Sequence, residues 1–202
     1  MRISLLTAAS TDFWNIMQFT APNKLDYCLK WGVQLSMRKH DLDRVLPWGE
    51  REVFMLDTLK ECDWLWFMGA DTLIMNHTID VRIFLDERYD FIIGKDVNGI
   101  NNDVFFLRNN HKSQLFLHKV LASNSYFPQD QTAMHYVAEM IPSFKVSVVH
   151  QKLFNSFLYS EYHYPDDKGG SFTEGDFVLH LPGMPNHRRL QLIREYLPKV
   201  IK

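Results

Sequence analysis

Apolar positions along the chain fall into short unbroken runs separated by stretches with helical spacing, and each pattern predicts a different element. Ile3 to Ala8 reads as a first strand, and the small residues Thr7-Ala8-Ala9-Ser10-Thr11 at its end predict an open loop where a ligand can approach the backbone. Asn23 is placed to cap a helix carrying Leu25, Cys28 and Leu29 on one face, with Gly32 where it stops. Val33, Leu35 and Met37 alternate as a second strand, and Val53, Leu56 and Leu59 recur at helical spacing within Glu50 to Glu61. Trp64 to Met68 is continuously apolar, as in a strand covered on both faces, and it runs straight into Gly69-Ala70-Asp71. Further strands are expected over Asp90 to Gly94, Val104 to Leu107 and Phe177 to His180, and helices over Gln114 to Leu121, Asp130 to Met140 and from about Asn186. Such alternation predicts an α/β fold with a mostly parallel, mixed central sheet flanked by helices, and a ligand crevice at the carboxyl ends of the strands.

With 202 residues, 46% of them hydrophobic, one substantial core is expected and a second full domain is not. A net charge of −2 and the lack of any Lys/Arg block argue against nucleic acid as a partner. Cys28 and Cys62 are too few for a disulfide scaffold and sit in apolar patterns, compatible with a reducing compartment. No apolar run reaches the roughly 18 residues needed to span a bilayer, so a soluble, cytoplasmic protein is expected. Pro165 to Ser171 has loop chemistry, suited to a lid or acceptor loop.

Asp71 and His180 each fall at a predicted strand end. A carboxylate and an imidazole are suitable ligands for Mn²⁺ or Mg²⁺. Asp71 can equally cap the segment that follows it, and His180 can be a core histidine bonded to the backbone. Gly69 and Ala70 leave room beside Asp71, while Gly183 and the Arg188-Arg189 pair after His180 suit a diphosphate at a helix start. Asp130-Gln131 opens a helix and can serve as its cap and first turn, and Asn101-Asn102-Asp103 reads most simply as a turn. A phosphotransfer loop around Ala70-Asp71-Thr72 lacks its nucleophile, since Gly69 stands at the first acidic position.

Two segments together resemble the GT-A nucleotide-sugar glycosyltransferases, closest to the retaining galactosyl, xylosyl and mannosyl transferases of family 34 and more distantly to glycogenin-like family 8. Asn23-Lys24-Leu25-Asp26-Tyr27-Cys28-Leu29-Lys30-Trp31-Gly32 is similar to the family's Asn-Lys-x-x-Tyr-Cys-x-x-His-Gly, and Asp63 to Asn76 to its Glu-Trp-x-Trp-x-x-Asp-x-Asp-x-x-x-x-Asn. The resemblance extends to small viral glycosyltransferase domains such as those that build chlorella-virus capsid glycans, for which the compartment would be the host cytoplasm. It implies one catalytic domain over 1–202, with a nucleotide-binding part at about 1–100 and an acceptor side at about 101–202. It further implies a metal-dependent transfer from a UDP-sugar to a glycan or glycoprotein hydroxyl with retention. Asp71 and His180 would hold the metal. Thr7, Ala8, Ala9, Ala70, Gly183 and Arg188 would contact the donor, and Asn101, Asp130 and Gln131 would face the reacting centre. Lys24 is either a donor-side residue or a solvated helix position. One departure stands out: Gly69 occupies the first acidic position of the family's Asp-x-Asp motif. It motivates an alternative, a non-catalytic nucleotide-sugar or glycan-binding module.

Overall fold

The computed structural model describes residues 1–40, 49–96, 99–123, 130–161 and 169–202, the side chains of His40 and Asp130 excepted. Most of the lid-like segment expected at Pro165 to Ser171 therefore lies outside the described residues. A six-stranded sheet has the order β2-β1-β3-β6-β5-β7, formed by β1 (Ile3–Ser10), β2 (Gln34–His40), β3 (Trp64–Met68), β5 (Phe91–Asp96), β6 (Gly99–Arg108) and β7 (Val146–His150). All neighbours pair in parallel except around β6, which runs antiparallel to both β3 and β5. A second, three-stranded sheet joins β4 (Thr72–Ile74), β9 (Val178–His180) and β8 (Ser156–Phe157). The helices are α1 (Thr11–Trp31), α2 (Gly49–Leu59), α3 (His111–Ser123), α4 (Asp130–Met140) and α5 (Asn186–Tyr196). None of the described helices is long and apolar enough to cross a membrane.

The continuous apolar run of β3 is explained by its two buried faces. Trp64, Trp66 and Met68 belong to one core cluster with Tyr27, Phe106 and Phe177, whereas Leu65 and Phe67 point into another with Phe105, Phe116 and Leu117. Residues two apart share a face of a strand, so a central strand covered on both sides must be apolar at every position. Trp66 is fully buried and stacks on Phe106 and Phe177 at centroid distances of 5.8 and 5.7 Å. Truncating such a side chain to alanine costs about 3–5 kcal/mol.

Four local expectations are corrected. The open loop after β1 is absent, because the strand runs to Ser10 and α1 begins at Thr11. Asn23 is accordingly inside a helix rather than at its cap, one residue after Pro22. Proline within a helix costs about 3 kcal/mol, and helix α1 offsets this by tertiary bonds made on either side of it. Asn23 Nδ2 donates to the Ile74 carbonyl at 2.9 Å and its Oδ1 accepts from the Ile74 N–H at 2.8 Å. Leu25 and Leu29 are exposed, and Asn23, Lys24, Tyr27 and Cys28 form the buried stripe instead. The helix ends as expected at Gly32, in the left-handed region with φ 63°. Finally, Asn101 to Asp103 is not a turn; it is part of β6.

Candidate active site

The site forms where the two sheets meet. Strand β3 ends at Met68, paired with Val104 of β6, and the next residue continues the register when the Gly69 N–H donates to the Asp103 carbonyl at 2.7 Å. The chain then turns through Ala70 and Asp71 into β4, where Thr72 pairs with His180 of β9. The Leu181 N–H donates to the Asp71 carbonyl at 3.2 Å. Asp71 from the turn, Asp103 from the large sheet and His180 from the small one are thereby brought together by register alone.

His180 is fully buried, and its ring is held on one side by Asn155 Oδ1 at 2.9 Å from Nδ1 and packed edge-on by Phe157. Asn155 donates from its amide nitrogen to Asn101 Oδ1 at 3.0 Å, and Asn101 donates to Asp96 at 3.1 Å. The order of donors makes Asn155 Oδ1 an acceptor, so His180 Nδ1 carries the proton. The other ring nitrogen, Nε2, lies 3.5 Å from Asp71 Oδ1 and 3.4 Å from Asp103 Oδ2. Neither contact is aligned as a hydrogen bond, and Nε2 has no hydrogen-bond partner. Burial works against charge on the ring, but Asp71 and Asp103 outweigh it and push His180 up to about 9. The Asp103 carboxyl is correspondingly held below its usual range: desolvation opposes this, and His180, Arg51 and Arg189 prevail. Among the described residues no three His, Cys, Asp or Glu side chains are already gathered around a single metal-sized centre.

Asp71 is buried, and Arg189 Nε donates to its Oδ2 at 2.9 Å. The same guanidinium donates to the carbonyls of Leu181 and Met184 and to Asn186 Oδ1, and it lies over the ring of Phe13. Sequence reasoning singled out Arg188, the adjacent residue. Neighbouring helix positions point about 100° apart, and Arg188 is turned outward to Glu161, which it meets through Nε at 2.8 Å and Nη2 at 2.5 Å. Gly183 sits between β9 and α5 in the left-handed region, φ 66°.

Lys24 is fully buried, which excludes the solvated-helix reading. Its amine donates to the Gly69 carbonyl at 3.1 Å and to Thr20 Oγ1 at 3.2 Å, while Thr20 Oγ1 donates to the Ala70 carbonyl at 2.7 Å. Helix α1 thus clamps the turn that carries Asp71. Burial lowers Lys24 to about 7, with Asp71 and Cys28 pulling the other way. On β1, Thr7 and Ala9 face one side and Ala8 the other. Ala9 packs with Met17 and Ala70, whereas Ala8 lies in the main core. The Thr7 hydroxyl is buried without a hydrogen-bond partner. Gln131, at the start of α4, accepts from the Asn102 N–H at 3.4 Å, and the Asp130 side chain lies outside the described residues. The sequence reading missed Asp103, Asn155 and Thr20, and of the Arg188-Arg189 pair it chose the residue that turns away; Asn and Asp are depleted in strands, so Asn101 to Asp103 carried no propensity signal for β6.

The fold is that of the GT-A glycosyltransferases. A glycosyltransferase involved in glycosylation of the major capsid of PBCV-1 superposes with a TM-score of 0.78 at 14% identity, over 96% of this chain and 100% of that one. A mutant of Drosophila β1,4-galactosyltransferase 7, in complex with manganese, UDP-Gal and xylobiose, gives a TM-score of 0.54 at 12% identity, over 94% of this chain and 74% of that one. The chain belongs to the galactosyl transferase GMA12/MNN10 family, whose family model matches residues 84–191. That match takes in Asn101, Asp103, His180 and Arg189 but begins after Asp71. Xyloglucan 6-xylosyltransferase 4 of Arabidopsis thaliana is 26% identical over an alignment 100 residues long that covers 43% of this chain and 20% of that protein. The matched region therefore spans about a fifth of this relative.

Proposed function

We propose that this chain is a metal-dependent glycosyltransferase that moves a sugar from a nucleoside diphosphate sugar, UDP-linked, to a hydroxyl of a glycan or glycoprotein with retention of configuration. The observation that carries the reading is the buried, unpartnered Nε2 of His180 beside the carboxylate of Asp71. A buried polar atom without an aligned hydrogen bond is costly, and once a cation displaces the proton that Asp71 and Asp103 favour on the ring, the imidazole and the carboxylate fit Mn²⁺ or Mg²⁺. Asp71 and His180 would hold the cation, which would offset charge building on the departing diphosphate.

The other residues position these two. Arg189 fixes the carboxylate of Asp71, and Asn155 fixes the ring and tautomer of His180, as partners behind metal ligands commonly do. Lys24 and Thr20 hold the Gly69 and Ala70 carbonyls and so keep the turn in place. Lys24 thereby acts on the donor through the turn. Thr7, Ala9, Ala70 and Gly183 are assigned to the nucleotide side, where Ala9 and Ala70 pack against each other, with Ala8 supporting them from the core. Asn101, Asp130 and Gln131 are assigned to the reacting centre, where a carboxylate or amide steadies an oxocarbenium-like transition state or orients the acceptor. The division into a nucleotide part at about 1–100 and an acceptor part at about 101–202 follows the same assignment. A viral, host-cytoplasmic setting belongs to this reading, and the PBCV-1 capsid glycosyltransferase shares the fold.

Gly69 favours one rival, a module that binds nucleotide sugar or glycan without turnover. A panel of UDP- and GDP-sugars incubated with Mn²⁺ separates the two. Donor hydrolysis or transfer that is lost in Asp71→Asn supports the enzyme, and nucleotide binding by calorimetry with no turnover for any donor supports the module. NMR of the transferred sugar's anomeric proton reads retention.

A further inference from the structure

A side chain at position 69 is opposed by crowding and not by backbone conformation. Its φ lies outside the left-handed region that favours glycine. A Cβ placed there would meet Asp103 Cβ, Asp103 Oδ1 and Asp71 Oδ1, each at 3.3 Å. Such contacts are tight, and the Cβ among them belongs to a strand neighbour held by the Gly69 N–H bond to the Asp103 carbonyl. The volume a side chain at position 69 would need is therefore occupied by the carboxylate of Asp103.

That carboxylate faces two ways. Its Oδ1 lies toward position 69 and 3.7 Å from Arg51 Nη1, and its Oδ2 lies 3.4 Å from His180 Nε2. His180 provides the independent sign of a ligand, because its Nε2 is buried, unpartnered and aimed between Asp103 and Asp71. Donor atoms bound side by side on a first-row divalent cation, at about 2.0–2.2 Å each, sit roughly 3–3.5 Å apart. The separations of Nε2 from the two carboxylates fall in that range.

We propose that Asp103 is the second protein carboxylate of the divalent-cation site, reaching from β6 into the space left by Gly69. The acidic pair is thus split between two chain segments, Asp71 on the turn and Asp103 on the neighbouring strand. Gly69 is small so that Asp103 can occupy its place. Closing on the cation asks for a rotation of Asp103, whose side chain is 36% exposed, against 8% for Asp71 held by Arg189. The inference rests on the reading that Asp71 and His180 bind a divalent cation.

The test is Mn²⁺ binding to the intact protein, read by electron paramagnetic resonance of the free ion and by calorimetry, with circular dichroism to confirm folding. Asp103→Asn is expected to weaken Mn²⁺ at least tenfold, as is Asp71→Asn. The exchange Gly69→Asp with Asp103→Gly should bind Mn²⁺ several-fold more tightly than Asp103→Gly alone, because the acidic group is returned to the site from the other strand. Wild-type affinity in Asp103→Asn, with binding lost in Asp71→Asn, overturns the role of Asp103 and leaves the metal reading standing. A folded exchange variant no tighter than Asp103→Gly overturns it as well, whatever the fate of Asp103→Asn. Absence of Mn²⁺ binding by the wild type overturns both.

Discussion

Arg189 Nε donates to Asp71 Oδ2 at 2.9 Å, and the two side chains are each 8% exposed. An ion pair this deeply enclosed does little for net stability, yet removing one member strands the other. Arg189→Ala would leave Asp71 without its guanidinium partner, and three further acceptors, the Leu181 and Met184 carbonyls and Asn186 Oδ1, without this donor. We expect a loss of about 3–5 kcal/mol in urea unfolding of the metal-free protein. A change below about 1 kcal/mol, the range of a surface pair, would mean that water replaces the guanidinium at little cost.

Asp71→Asn keeps an acceptor for Arg189, so the variant should fold, with an unchanged circular dichroism spectrum. Donor turnover should nonetheless fall below detection, because a neutral amide binds a divalent cation poorly. Full metal-dependent turnover in this variant would remove Asp71 from the site.

UDP should raise the melting temperature more with Mn²⁺ than with EDTA. A ligand that binds only the native state stabilises by RT ln(1 + [L]/Kd), about 2.7 kcal/mol at a hundredfold excess over Kd. If cation and diphosphate share the site at Asp71, most of this gain needs the metal. Equal shifts in both buffers, followed by scanning calorimetry, would show that nucleotide binds without a cation.

Burial lowers Lys24 to about 7 from 10.5, so between those values the unfolded chain holds a proton that the folded one has released. Stability of the metal-free protein therefore gains from this group as pH rises through that window, and the penalty for burying the charge is fully present below pH 7. Lys24→Met removes the term, and Thr72 Oγ1 still donates to the Gly69 carbonyl at 2.7 Å. The wild type should gain on the variant by on the order of 2 kcal/mol between pH 6 and pH 9. Urea midpoints in EDTA that run parallel across this range would contradict the shift.

The sequence by itself determined the elements whose signals are local. The unbroken run from Trp64 to Met68 reads as a strand buried on both faces, and β3 is one. Gly32 ended α1 because a left-handed cap needs no Cβ there, and Asn186 opened α5 where expected. Asp71 and His180 were legible because each follows or closes an apolar strand with a polar group. The tertiary structure decided everything that depends on register between distant segments. Asp103 looked like part of a turn, since three polar residues in a row carry turn propensity; they continue β6 past its pairing with β3 at Val104, across a register shift against β5, and the Gly69 N–H donates to the Asp103 carbonyl. Asn23 looked like a cap after Pro22, and the bonds from α1 to Ile74 carried the helix past the proline. Arg188 and Arg189 are equivalent in one dimension, and only the packing of α5 turns the second toward Asp71 and the first toward Glu161. Propensity and periodicity act over a few residues, whereas the meeting of Asp71, Asp103 and His180 is fixed by how β3, β6, β4 and β9 pair, and no local signal encodes that pairing.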